Sequence, residues 1–210
     1  MKKNNMYYYE NLYAHKGYKY IAGIDEVGRG SWAGPIVVAC VVLPIGYKNN
    51  EINDSKKISI NKRERMFNLI QEIACDISII FIDSIDVDKL NPKQATIKAM
   101  ERSVKELTKL TPDIVLIDAE KINTNVKINP IIKGDEKSIS IAAASIVAKV
   151  TRDKYMDQMD VKYPQYGFKK HKGYGTLLHL KALKKYGPIK NFHRFSYTPV
   201  KKVLLDLKTK

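Results

Sequence analysis

Asp25 and Glu26 stand side by side within IAGIDEVGRGSWAGPIVVACVVLP, residues 21–44, an otherwise apolar stretch. A third acid, Asp118, closes the apolar run DIVLID. In open α/β sheets, chemistry collects outside the carboxyl ends of strands. Two aspartates at two such ends can meet, with Glu26 beside one of them. Carboxylates that close repel one another unless a cation neutralises them. Hard oxygen donors select Mg²⁺ or Mn²⁺. The alternative is that each acid caps or salt-bridges its own loop. On a regular strand residues 25 and 26 point to opposite faces, so a shared site requires a break in regular geometry at Glu26, with Gly28 and Gly30 supplying the freedom.

Asp135, in KGDEKS, lies 17 residues past Asp118 and just ahead of an alanine-rich helix. It suits either a metal site or the first turn of that helix. Asp153 has Lys149 four residues earlier as an ion-pair partner, which makes it a weaker ligand candidate. GRGSWAG imitates a dinucleotide fingerprint, but its glycines fall at 28, 30 and 34 and a β-branched strand follows instead of a helix. The four histidines lack zinc spacing. His171 and His193 sit among lysines and are expected at the surface or on phosphate.

The elements that must position these acids alternate. Strands are expected over 20–25, 35–43, 76–84 and 113–119, with a short one within 126–135. Helices are expected from Ile60 with Ser59 as cap, from Pro92 after Asn91, and through SISIAAASIVAKVTRDKYMDQM. Two more are expected in TLLHLKALKKYG, stopped by Gly187, and over Val200–Leu207. The strand order suggests an α/β fold: a mixed sheet with antiparallel first strands and parallel later ones, covered by helices.

At 210 residues the chain has room for one domain with a sizeable core. The expected division is an N-terminal extension over 1–19, a catalytic domain over 20–190 and a basic helical segment over 191–210. The longest apolar run, Ile36–Leu43, is too short to cross a bilayer, and the N-terminus lacks the apolar region of a secretory signal. Cys40 and Cys75 sit in apolar contexts and read as free buried thiols, which points to the cytoplasm. The formal charge is +15. From Lys162 to Lys210 there are 13 Lys/Arg against one acid, interleaved with eight Phe/Tyr. That footprint fits a nucleic-acid partner better than a membrane surface, although a solvated lysine-rich face would look similar.

Six blocks, AGIDEVGRG…AGP, NDSKKIS, VLIDA, KGDEKSISIAAASIVAKVTRD, YPQYGFKKHKGYGT and HRFSYTPVK, appear in the order found in bacterial ribonuclease HII, which the chain resembles from about Tyr20 to Lys201. The resemblance implies a ribonuclease H-like fold and an endonuclease acting on RNA–DNA hybrids and on single ribonucleotides in duplex DNA. It implies Asp25, Glu26, Asp118 and Asp135 as ligands of two Mn²⁺ or Mg²⁺ ions. It places a 2′-hydroxyl-reading turn on Gly28, Arg29 and Gly30, and a junction-sensing tyrosine on Tyr174. Lys56 and Lys57 match lysines near the substrate backbone, and Lys172 is expected among the substrate-binding residues. Ser31, Trp32, Ala119 and Phe195 depart from the usual pattern, which has Pro, Leu, Gly and Arg there. A monomer is expected. The tail VKKVLLDLKTK lacks the glutamine-and-aromatic pattern of a sliding-clamp peptide.

Two rival functions share these sequence features. One is a non-catalytic nucleic-acid-binding protein with the acids as structural ion pairs. The other is a related metal nuclease restricted to continuous hybrids or DNA junctions.

Overall fold

The computed structural model describes residues 5–208. Residues 1–4 of the expected extension and 209–210 of the expected C-terminal segment lie outside the described residues. Five strands form a mixed sheet: β1 (Ile21–Val27), β2 (Ile36–Val42), β3 (Asp76–Ile82), β4 (Ile114–Asp118) and β5 (Lys127–Ile131). Their order is β3-β2-β1-β4-β5. The pairs β1–β4 and β4–β5 are parallel. β2 is buried along its whole length, and β1 up to Asp25, which is why both read as near-continuous apolar runs.

The helices begin where local chemistry starts them. Ser59 caps α2 (Ile60–Ile73) by accepting from the Lys62 N–H. Asn91 accepts from Gln94 N–H at the head of α4 (Pro92–Lys105). Between them lies a helix with no counterpart in the expected elements, α3 (Ser84–Leu90), capped by Asp83. The apolar run of β3 hid its start: the expected strand over 76–84 ends at Ile82, and Asp83 turns the chain.

Contacts divide the chain into two compact units. The first comprises 1–27, 38–80 and 97–150; the second comprises 28–37, 81–96 and 151–210. In the first unit, the long helix α5 (Ile139–Lys162) brings Ala142, Ala143 and Ala144, all fully buried, onto the sheet. A Cβ added to Gly23 of β1 would lie 2.1 Å from the Ser140 carbonyl carbon, so helix backbone rests directly on strand backbone. Within the expected extension, the described residues begin with a turn at 6–7 and continue into a helix. Helix α1 (Tyr8–His15) buries Tyr13 against Ile21, Ile114, Leu116, Ile131 and Ile141. Glu10 accepts from Ser138 Oγ and Ser140 N–H, capping the start of α5, and Met6 O accepts from Ile139 N–H.

The second unit holds a core of Ala33, Met156, Tyr166, Phe168, Ala182 and Phe192. It carries the short helix α6 (Phe168–His171), α7 (Leu177–Tyr186) and α8 (Thr198–Lys208). Gly187, at φ 74°, stops α7 as expected. Cys40 and Cys75 are free thiols; Cys40 is buried, which pushes its pKa well up, whereas Cys75, expected to be buried, is only partly so. Among the described residues, no helix is long and apolar enough to cross a membrane.

Candidate active site

The acids of the first unit are placed by strand register. Ile24 pairs with Ile117 across the parallel strands β1 and β4. The next residue on each strand is Asp25 and Asp118, so the two carboxylates leave neighbouring strands on one face, about 4.8 Å apart at the backbone. Asp25 is buried, 6% exposed. Its Oδ1 accepts from the Glu26 N–H at 2.8 Å. Burial first, then the Glu26 and Asp135 charges, push its pKa well up, against a hydrogen bond from Ser145 that favours the ionised form. Ser145, on α5, is itself 2.9 Å from Ser55 Oγ.

The expected break at Glu26 is not where the strand ends. β1 runs regularly through Val27, and the chain leaves the sheet at Gly28, φ 93°. Regular strand geometry costs less than a kink inside the ladder, and Gly28 takes the positive φ that Glu26 would resist. Glu26 still lies close enough to Asp25 to act on its ionisation.

Asp118 Oδ1 accepts from Gly134 N–H at 2.9 Å, which ties it to the turn carrying Asp135. Asp135 sits in a 3-10 turn over Gly134–Glu136 and is buried. It does not cap α5; Ser138 Oγ does, accepting from Ile141 N–H. Burial raises the Asp135 pKa, as do the Asp54 and Asp118 charges, while Lys56 opposes them. Asp54 is buried too, and its Oδ1 accepts from the Lys56 N–H, shaping the loop that presents Lys56 and Lys57. Lys56 Nζ is 3.9 Å from Asp135 Oδ2. Burial would lower its pKa, but Asp25, Asp135, Asp54 and Asp118 together hold it above normal. Lys57 pairs with Glu136 at 2.9 Å. Sequence reasoning missed Asp54, Ser55 and Ser145; all three lie in the motif blocks, but nothing in their spacing marks them as facing an acid.

Among the described residues, no group of three or more His, Cys, Asp or Glu is arranged so that it could hold a metal ion as it stands. The protein supplies other partners: backbone N–H groups and Ser145 for two aspartates, Lys56 for a third. The donor chemistry nonetheless fits a hard divalent cation. Asp25, Glu26, Asp118 and Asp135 offer only carboxylate oxygens, and the raised pKa values of Asp25 and Asp135 show negative charge gathered where water is excluded.

In the second unit the turn over 28–31 is tight, with Gly28 O accepting from both Ser31 N–H and Ser31 Oγ. A Cβ at Gly28 would lie 2.3 Å from Arg152 Nε. At Gly30 it would meet nothing within 4 Å, so the fold does not demand glycine there. Two fully buried arginines hold this loop. Arg194 donates to Arg29 O and Gly34 O, and Tyr197 Oη also donates to Arg29 O. Arg152 donates to Pro35 O, Ala33 O and Ser31 Oγ. Neither arginine stood out in the sequence, because arginine is almost never fully buried unless paired. Tyr174 is half-buried, its ring 5.3 Å from the Arg152 guanidinium carbon. Lys172 turns its ammonium to Asp157, and its carbonyl accepts from Arg152.

His171 and His193 are not on the surface, contrary to expectation: they are 6% and 1% exposed and join His179 in a buried cluster. The neighbouring lysines point outward from short elements whose other side is core. Gly173 N–H donates to His171 Nδ1, so His171 Nε2 carries the proton and donates to Tyr166 O. Ile189 N–H donates to His193 Nδ1, so His193 Nε2–H donates to His179 Nε2, and His179 Nδ1–H donates to Tyr174 O. Each ring is neutral. Burial pushes His179 down to about 4 and His193 down to about 3.

Three of the unusual residues now have a place. Trp32 and Phe195 pack against the same cluster of Leu183, Val200 and Val203. Ala119 takes φ 50°, a left-handed conformation natural to glycine.

Comparison with known proteins identifies the family and the fold. The family profile for Ribonuclease HII matches residues 22–200. A Ribonuclease HII of Acetivibrio thermocellus is 51% identical over 191 residues, 90% of this chain and 74% of the relative. The crystal structure of the ribonuclease H2 from Pyrococcus horikoshii OT3 superposes with a TM-score of 0.78 at 21% identity, covering 91% of this chain and all of that one. Bst-RNase HIII in complex with Mn²⁺ superposes with a TM-score of 0.67 at 18% identity, covering 95% of this chain and 74% of that one. The chain belongs to the ribonuclease HII family.

Proposed function

We propose that this chain is an endonuclease that hydrolyses the phosphodiester on the 5′ side of ribonucleotides, in RNA–DNA hybrids and at single ribonucleotides embedded in duplex DNA, leaving 3′-hydroxyl and 5′-phosphate ends. The observation that carries the reading is the register that sets Asp25 beside Asp118, with Asp135 and Glu26 acting on Asp25.

Two divalent ions, Mn²⁺ or Mg²⁺, held by Asp25, Glu26, Asp118 and Asp135, would supply a hydroxide nucleophile and charge stabilisation at the leaving 3′-oxygen. The residues themselves do the rest. Asp25, next to Glu26 and level with Asp118 in the strand register, would be the ligand shared by the two ions. Gly134 N–H keeps one Asp118 oxygen turned toward the Asp135 turn. Ser145 and the Glu26 N–H hold Asp25 in place while leaving it acceptor capacity. Lys56, above its ordinary pKa, stays cationic and can meet a phosphate oxygen at the edge of the acids.

Discrimination requires reading one oxygen atom. A site that hydrogen-bonds a 2′-hydroxyl leaves polar groups unpaired against deoxyribose, which costs several kcal/mol. The turn over Gly28, Arg29 and Gly30 is suited to this because Gly30 has open space where a side chain would stand. Tyr174 would stack on the deoxyribose beside the ribonucleotide. The basic segment from Lys162 onward would hold duplex phosphates without regard to sequence.

The test uses three labelled duplexes: one with a single ribonucleotide, one continuous hybrid and one of DNA alone, each with Mn²⁺ or Mg²⁺ and then with EDTA. Metal-dependent cleavage of the first two and not the third is the expected result. Cleavage of the hybrid alone would favour the restricted nuclease, and no cleavage would favour a binding protein.

A further inference from the structure

Arg152 is a fully buried guanidinium whose hydrogen-bond partners among the described residues are carbonyls and a hydroxyl, with no carboxylate. Burial pushes its pKa down to about 10, which still leaves it charged near neutrality. A buried cation of this kind is costly, and an apolar side chain of similar volume is often as stable. What arginine adds is a planar fork of five donors in fixed directions.

The fork reaches two separate segments. Nε donates to Pro35 O at 2.9 Å, and Nη2 donates to Ser31 Oγ at 2.8 Å and to Ala33 O at 3.2 Å. Nη1 donates to Lys172 O at 2.9 Å, and the guanidinium carbon lies 5.3 Å from the centre of the Tyr174 ring. Gly28 lies against the same group, close enough that a Cβ there would strike Nε and Cδ. One side chain therefore touches the turn over 28–31, the segment from Ala33 to Pro35 that leads into β2, and the loop bearing Tyr174.

We propose that Arg152 is a positioning residue that sets the spacing between the Gly28–Gly30 turn and Tyr174, and so contributes to the enzyme's preference for a lone ribonucleotide followed by deoxyribose. This rests on the functional reading above. The turn is needed for any ribonucleotide, whereas its distance from Tyr174 matters only where ribose gives way to deoxyribose. Ser31 takes part through its hydroxyl, which donates to Gly28 O and accepts from Arg152.

Arg152→Lys keeps the charge and removes the fork. The variant is compared with the wild type on the single-ribonucleotide duplex and on the continuous hybrid, with circular dichroism to confirm folding. On the first, kcat should fall about tenfold or more, and on the second by no more than about threefold. In a Tyr174→Ala background, Arg152→Lys should change the single-ribonucleotide rate by less than about twofold, because the two residues act through one contact. Equal losses on both substrates, or losses that multiply in the double variant, would overturn the proposal. A wild type that leaves the single-ribonucleotide duplex intact would instead defeat the functional reading itself. If Arg152→Lys fails to fold, Ser31→Ala decides: a shift of about threefold in the same substrate ratio supports the assignment, and an unchanged ratio ends it.

Discussion

His193 donates its only proton to His179, Nε2 to Nε2 at 3.0 Å, and His179 in turn donates to the carbonyl of Tyr174. The chain leaves each imidazole one donor and one acceptor, all used. A second proton on either ring would face a donor already pointing at it.

Stability should therefore depend on pH in a defined sense. Both rings have folded pKa values below the ordinary 6.5, about 4 for His179 and about 3 for His193. The unfolded chain takes up protons first as pH falls, so stability is full above about 6.5 and declines below it. Each ring contributes a slope of up to about 1.4 kcal/mol per pH unit between its two pKa values. Urea unfolding from pH 8 to pH 4.5 measures this; stability that does not change below pH 6.5 would contradict the neutral cluster.

Asp25→Asn should abolish cleavage, by about a thousandfold or more, while duplex binding persists. Because the substitution removes a buried negative charge beside Glu26 and Asp135, the variant should unfold no more easily than the wild type. Retained turnover, in a single-turnover assay with excess enzyme, would remove Asp25 from the metal site.

The glycines of the turn should separate fold from function. Gly28→Ala places a Cβ 2.3 Å from Arg152 Nε at a φ of +93°, so it should lose about 2 kcal/mol or more of stability. Gly30→Ala meets nothing and should stay within about 0.5 kcal/mol of the wild type. Its cleavage of ribonucleotide-containing duplex should nonetheless fall about tenfold or more if the turn lies against the sugar. A Gly30→Ala enzyme with wild-type kinetics would move 2′-hydroxyl recognition elsewhere.

Ala119→Gly should stabilise the protein by about 0.5–1 kcal/mol, since Ala119 holds φ 50° and a methyl group is disfavoured there. A rise of a few degrees in melting temperature would register the relief, and a fall would mean that the methyl packs better than its conformation costs.

Affinity for duplex should drop steeply with added salt, given 13 cations against one acid from Lys162 to Lys210. A plot of log K against log salt gives a slope of about −0.9 for each phosphate neutralised. A flat plot would deny that segment its role.

The sheet and most helices were legible because burial imposes periodicity: β2 is apolar throughout, and α2 and α4 announce themselves by Ser59 and Asn91. Helix α3 was not, since seven residues give too little pattern to compete with the strand before it. At the site, Asp25 and Asp118 could be seen because each follows an apolar run, although only Asp118 ends its strand. Arg152, Arg194 and the three histidines could not. Their polar groups are satisfied by carbonyls and amides of distant segments, and no property of a side chain's own neighbours in sequence encodes such partners.

Gly23 has the last consequence. Where the first strand meets α5, main chain lies on main chain, and there is no side chain between them to bend or repack. Two residues later comes Asp25. The acid's depth is thereby gauged from a hard stop, and even a single methyl group inserted at that stop would have to lift the whole helix, carrying Ser145 away from the carboxylate it serves.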